Sequence, residues 1–308
     1  MGQATELDLQ QLISMQQQAR DLAVRRKYIR STLSGAHLSR LRGRGMEFDE
    51  VRVYQAGDEV SSIDWKVTAR KGVTHTKIFR EERERPVLMC VDYRASMFFA
   101  TQGVLKSVLA TQAAALLAWH GVAQGDRLGG LLFSDDEHHE VKPARGRNGV
   151  LKWLHACTHA KAWERQNIRQ TASTAASIHS NALQEATARL RRVSKPGSLI
   201  YIFSDFRGLN DGVVSNLGQL ARHNDVVLLS VSDGIEESFP NQGAYPVFDG
   251  EKYRMCYAND TLQQHLQELF EQRMTTLSTL QKQHGIQHMR LNTSDDVVEK
   301  IRAQVWQK

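Results

Sequence analysis

Two aspartates carry the chemistry that shows first in this chain. Asp92 closes the apolar run Val87 to Val91 and is followed at alternate positions by Arg94 and Ser96, while Asp205 closes a second run, Leu199 to Phe203, after Ser204. In an open parallel sheet, ligands bind beyond the carboxyl ends of the strands, so two buried strands ending in acids would aim both carboxylates into one crevice. Such a pair suits a divalent cation or catalysis.

The elements that must position these residues follow from the hydropathy pattern. From Val87 onward, strand and helix signals alternate, which predicts an α/β fold with a mostly parallel sheet and helices on both faces. Leu105 to Trp119 is apolar nearly all round and predicts the most buried helix. Asp126 to Phe133 predicts a strand, Glu137 to Val141 a short edge strand, Val150 to Cys157 a helix and Lys161 to Ser180 a loop. Leu183 to Val193 predicts a helix stopped by Pro196-Gly197, followed by central strands at Leu199 to Phe203 and Val226 to Val231. Tyr245 to Tyr257 predicts a hairpin, Leu262 to Leu280 a long helix, Ile286 to Leu291 a last strand and Val297 to Val305 a last helix.

Before Val87 the texture differs. Leu9, Leu12, Ile13, Ala19, Leu22 and Ala23 mark an amphipathic helix within residues 5–30, and Arg40 to Arg44 a basic loop. Glu50 to Arg80 alternates in short segments, including Val51 to Tyr54, Ser62 to Trp65 and Thr74 to Phe79, which predicts a small antiparallel ribbon. Residues 1–85 are thus expected to form an N-terminal helix and β-ribbon segment, and residues 86–308 the main domain.

Composition narrows the function classes. The 308 residues are 41% hydrophobic and 24% charged, the profile of a folded globular chain. The polar, Gln-rich stretch Met1 to Arg20 has no secretory pattern, and Ala113 to Trp119, the most apolar stretch, falls far short of the roughly 20 residues that cross a bilayer. Cys90, Cys157 and Cys256 are too widely spaced for a metal knuckle or a disulfide framework. A cytoplasmic location is the expectation. The net charge of +6 permits an acidic partner, but the basic runs carry no interleaved aromatics or zinc motif, so nucleic-acid binding is not expected. No Walker A loop, dinucleotide fingerprint, nucleophile elbow or zincin motif occurs.

The spacing Asp92-x-Arg94-x-Ser96, with Asp205 on a later loop, resembles the metal-ion-dependent adhesion site of von Willebrand factor A domains, whose fold is Rossmann-like. In that family the pattern is Asp-x-Ser-x-Ser, then a Thr, then an Asp. The resemblance places Ser177 on the second loop and implies a site of Asp92, Ser96, Ser177 and Asp205 for Mg²⁺ or Mn²⁺, which favour oxygen ligands. Arg94 stands where a hydroxyl ligand is expected. Its guanidinium either replaces the metal by pairing with the acids or points away and leaves the other four to hold a weak ion. On a third reading, Asp92 and Ser96 only cap the following turn.

A second resemblance covers nearly the whole chain from about residue 40. Arg44-Gly45-Met46-Glu47-Phe48, Arg52-Val53-Tyr54, Gly57-Asp58, Ile63-Asp64-Trp65 and Thr68-Ala69-Arg70 resemble the hallmark of the domain-of-unknown-function-58 family, in which this segment precedes a von Willebrand A-like domain. Members are commonly encoded beside MoxR-type AAA+ ATPases, which implies a protein-binding adaptor that works with such an ATPase on other complexes. From the residues alone, Arg52, Asp58, Asp64 and Arg70 read as a salt-bridged corner tying the ribbon to the main sheet, and Tyr54 and Trp65 as anchors for a partner. The reading from another class is a divalent-metal-dependent hydrolase, a phosphatase or nuclease, using Asp92 and Asp205.

Overall fold

The computed structural model describes residues 7–23, 46–55, 57–81, 85–167, 181–248 and 253–305. The chain divides into two compact units, one of residues 28–84 and one joining residues 1–27 to 85–308. Helix α1 (Leu9–Ala23) belongs to the second unit, not with the ribbon as the grouping 1–85 had it. The reason is its apolar face: Leu12, Met15, Ala19 and Leu22 are all buried.

The smaller unit is built on β1 (Met46–Val53), α2 (Trp65–Lys71) and β2 (His75–Glu81), with the two strands antiparallel. The ribbon is as expected, but Ser62 to Trp65 is not one of its strands. Asp64 caps α2, accepting from the amides of Lys66 at 3.0 Å and Val67 at 3.1 Å. Gly72, in the left-handed region at φ 69°, ends the helix.

The larger unit holds a six-stranded sheet formed by β3 (Pro86–Asp92), β4 (Arg127–Phe133), β5 (His138–Arg145), β6 (Leu199–Ser204), β7 (Asp225–Ser232) and β10 (Gln287–Asn292). Its order is β10-β7-β6-β3-β4-β5, parallel throughout except for β5 at one edge. Between the strands run α3 (Lys106–Ala123), α4 (Gly146–Thr158), α5 (Ala162–Asn167), α6 (Ala182–Val193), α7 (Asp211–Ala221) and the short α8 (Gly234–Glu237). A hairpin of β8 (Ala244–Phe248) and β9 (Tyr253–Tyr257) leads to α9 (Asp260–His284), and α10 (Val297–Val305) follows β10. This is a Rossmann-like arrangement. Helix α5 lies where a loop is expected, and α7 fills a stretch for which the pattern reading named no element.

Strand periodicity divides the core. On β3, Val87, Met89 and Val91 face a cluster that takes in α1, α3, α4 and α10, while Leu88 and Cys90 face a cluster with α6, α7 and α9. Helix α3 is buried nearly all round because it lies between the sheet and α1, and Trp119 Nε1 donates to the Leu12 carbonyl at 3.0 Å. No helix among the described residues is long and apolar enough to cross a membrane.

One histidine makes this packing pH-sensitive. His288 on β10 has Nε2 2.8 Å from the Ser230 hydroxyl, and burial, aided by Arg290, pushes its pKa down from 6.5 to about 4. Because the unfolded chain binds the proton first, stability is full above about 6.5 and declines as pH falls towards about 4. The expected loss over that window, discounted for partial exposure, is about 2 kcal/mol. Urea titrations at both pH values should show it, and His288→Asn should remove most of the difference.

Candidate functional site

The strand order places the switch point of the sheet between β3 and β6, since β3 is followed by β4 on one side while β6 continues through β7 to β10 on the other. In open α/β sheets this is the point beyond whose strand ends ligands bind. Asp92 is the last residue of β3, Ser204 the last of β6, and Asp205 the next. The expected meeting of the two acids occurs, and both are buried.

Arg94 points inward. Its Nε lies 3.0 Å from each Asp92 oxygen, and Nη2 lies 2.6 Å from Asp92 Oδ2 and 3.3 Å from Asp205 Oδ1. Nη1 donates to the Arg207 carbonyl at 2.9 Å, so the guanidinium also holds the loop after β6. Ser204 Oγ donates to Asp92 Oδ2 at 2.6 Å. Asp92 Oδ1 in addition accepts from the amide of Arg94 at 2.9 Å, so the turn-capping role of Asp92 coexists with its ion pair.

The sequence reading missed Lys106, at the head of α3 and fully buried. Its Nζ lies 3.1 Å from Asp205 Oδ2 and 2.8 Å from Glu236 Oε1. The half-exposed Arg207 reaches the same Glu236 oxygen at 2.5 Å, and Arg273 Nη1 donates to the Asp205 carbonyl at 2.9 Å. The only local signal for Lys106 is a lysine opening an otherwise apolar helix. The loop itself is bent at Phe206, whose φ of 52° is unusual for a non-glycine residue and whose ring is fully buried.

These contacts set the charge states. Burial raises the Asp92 pKa despite the opposing pull of Arg94. Burial would raise Asp205 as well, but Lys106, Arg94 and Arg207 overcome it and hold this acid below the ordinary carboxylate range. Burial would likewise lower Arg94, and Asp92 and Asp205 outweigh it, so the guanidinium stays charged.

The donor set does not fit a resident Mg²⁺ or Mn²⁺. Both Asp92 oxygens accept from Arg94, Asp205 Oδ1 accepts from Arg94 and the Arg207 amide, and Asp205 Oδ2 from Lys106. A hard cation at about 2 Å from these oxygens would have to displace charged donors. Ser96 Oγ is buried with no partner among the described residues, and Ser177 lies outside them.

The sequence profile of the family described as "Protein of unknown function DUF58" matches residues 50–279. The chain belongs to this family. Two similar relatives are an uncharacterized protein of Mycobacterium tuberculosis (Rv1480) and one of Mycobacterium bovis (Mb1516). Each is 30% identical over 234 residues, which cover 75% of this chain and 68% of the relative.

The DUF58 match takes in most of the ribbon motif, whose charges are used within the smaller unit. Arg52 pairs with Asp58 at 2.7 Å, and Asp58 also accepts from the Gln55 amide at 2.9 Å, which closes the turn after β1. Asp64, besides capping α2, lies 3.6 Å from Lys77 Nζ on β2. The Tyr54 amide donates to the Thr74 carbonyl at 2.8 Å. Arg70 is exposed in the last turn of α2, and Trp65, opening that helix, is 67% exposed.

Proposed function

We propose that this DUF58 chain is a non-enzymatic, cytoplasmic protein-binding adaptor. In this reading its larger unit is a von Willebrand A-like domain with a degenerate metal-ion-dependent adhesion site, and its partner is a MoxR-type AAA+ ATPase acting on the assembly or activation of other complexes. The observation that carries the reading is the saturation of Asp92 and Asp205 by Arg94 and Lys106. A general base or a metal-bound nucleophile needs a carboxylate oxygen facing substrate, and these oxygens face cations of the same chain. The half-exposed Arg207 at the rim pairs with Glu236, and a partner carboxylate would compete with Glu236 for its guanidinium.

Exposed apolar side chains on the smaller unit supply an anchor: Trp65, with Val60 at 64% and Val53 at 52% exposure. Large exposed aromatics are common hot spots. Calorimetry with a purified MoxR-type ATPase should give saturable binding, and Trp65→Ala should weaken it about tenfold to thirtyfold, roughly 1.4–2 kcal/mol, with unchanged melting temperature. Absence of binding, or full affinity in the variant, counts against the proposal. So would phosphatase or nuclease activity with Mn²⁺ that disappears in Asp92→Ala.

A further inference from the structure

We infer that the crevice is a cation-substituted centre in which Arg94 and Lys106 together take the place and the charge of one divalent ion, so that this face of the domain is completed without metal. The inference is independent of which partner docks.

The first support is charge. Asp92 and Asp205 bring two negative charges, and Arg94 and Lys106 return two positive ones, the same balance that a single divalent ion would give, while Glu236, which also contacts Lys106, is matched by Arg207. Neither carboxylate is left for water, since Asp92 and Asp205 are both buried.

The second is position. One nitrogen, Arg94 Nη2, bridges the two carboxylates, 2.6 Å from Asp92 and 3.3 Å from Asp205, which is where an ion shared by both acids would sit. Ser204 Oγ, a hydroxyl of the same crevice, is turned onto Asp92 at 2.6 Å.

The third is fixity. The guanidinium is held by the Arg207 carbonyl and lies over the Phe133 ring, 5.8 Å from its centroid. Lys106 is immobilised between Asp205 and Glu236. An incoming divalent ion would meet these two cations plus Arg207, whose Nε is 3.7 Å from Asp205 Oδ2, and Coulomb repulsion at such separations in a poorly solvated site is large.

The arrangement also predicts what removing Arg94 should do. A serine at position 94 restores a small hydroxyl beside Ser96, whose buried Oγ has no partner among the described residues. The site should then accept an ion, weakly, because Lys106 remains.

Thermal melting of the full chain in EDTA and in MnCl₂ tests this. The wild-type melting temperature should be the same in both. Arg94→Ser should melt about 10 °C lower in EDTA, as expected when one partner of a buried pair is lost, and should recover part of that loss in Mn²⁺ at about millimolar concentration. A wild-type protein stabilised by Mn²⁺ would overturn the inference. A folded Arg94→Ser protein indifferent to Mn²⁺ would too, as would one that fails to fold in either condition, since the ion then cannot do the work of the guanidinium.

Discussion

Replacing Lys106 by methionine should lower the stability of the larger unit by about 3–5 kcal/mol at neutral pH, read as a shift of the urea midpoint at unchanged slope. Methionine nearly matches the lysine stem in volume, so packing is largely kept and the loss reports on charge. The ammonium lies 3.1 Å from Asp205 and 2.8 Å from Glu236 with no exposure to solvent. Without it the buried Asp205 and the partly buried Glu236 lose the one fully buried cation that contacts both, leaving them the half-exposed Arg207 in common. The pH dependence separates this cause from a packing defect. Asp205 is held below its unfolded value, so its contribution is present above the ordinary carboxylate range and lost as pH falls through the folded value. The variant, having lost the foremost cation on Asp205, should therefore show its largest deficit near neutrality and a smaller one in acid. A deficit of constant size at all pH values would point to packing instead.

A second large effect is expected at Asp233, the fully buried residue that follows β7. Its carboxylate accepts from the Thr101 amide at 2.8 Å, the Ile235 amide at 3.0 Å and the Thr293 hydroxyl at 2.7 Å, and also from the Thr101 hydroxyl. Three chain segments, after β3, after β7 and after β10, are thus tied to one side chain. Asp233→Ala leaves four donors without their acceptor, and a loss of about 3 kcal/mol is expected once water has satisfied some of them. Hydrogen exchange checks the local claim: the Thr101 and Ile235 amides should lose protection in the variant, while strand amides at Met89 and Ile202 keep theirs relative to global stability. Unchanged protection at Thr101 would show that the loop is held by other contacts. Burial alone would raise this carboxyl, but the hydrogen bonds led by Thr101 hold it below its usual value, so its stabilising contribution too is lost in acid.

Much of the framework was legible because it depends on local pattern. Continuous apolar runs mark β3 and β6 as central strands, the unbroken apolar surface of α3 marks its burial, and two acids closing two such strands mark the crevice. What was not legible depends on distance in sequence. Lys106 and Asp205 are 99 positions apart, and nothing near either residue says that they meet. The direction of Arg94 was equally hidden, because a long side chain can turn inward or outward and the inward choice draws on Asp205, the Arg207 carbonyl and the Phe133 ring, all distant in sequence. Helix α2 was misread because Ser62-Ile63-Asp64-Trp65 alternates like a strand. Asp64 as an N-cap is a signal that the alternation reading did not use. For α7 the signal was available in Val213, Leu217 and Leu220 at helical spacing after Asn210, which caps the helix through the Val213 amide at 2.9 Å. The amphipathic face of α1 was visible, though its place on α3 was not.

The pairing of β3 with β6 aligns Val91 with Phe203, which brings Asp92 level with Ser204. A slip of one residue would turn every side chain of one strand to the opposite face. Apolar side chains lie on both faces of these strands, so hydrophobic burial alone discriminates weakly against such a slip. The charge cluster does not. In a slipped sheet Asp205 would be buried away from Arg94 and Lys106, which the segment after β3 carries, a penalty of several kcal/mol. The cluster draws on residues 92–94, 106, 205–207 and 236, so only one alignment satisfies all of them. Its main effect is therefore to raise the energy of incorrect strand registers, whatever its net contribution to the stability of the correct one.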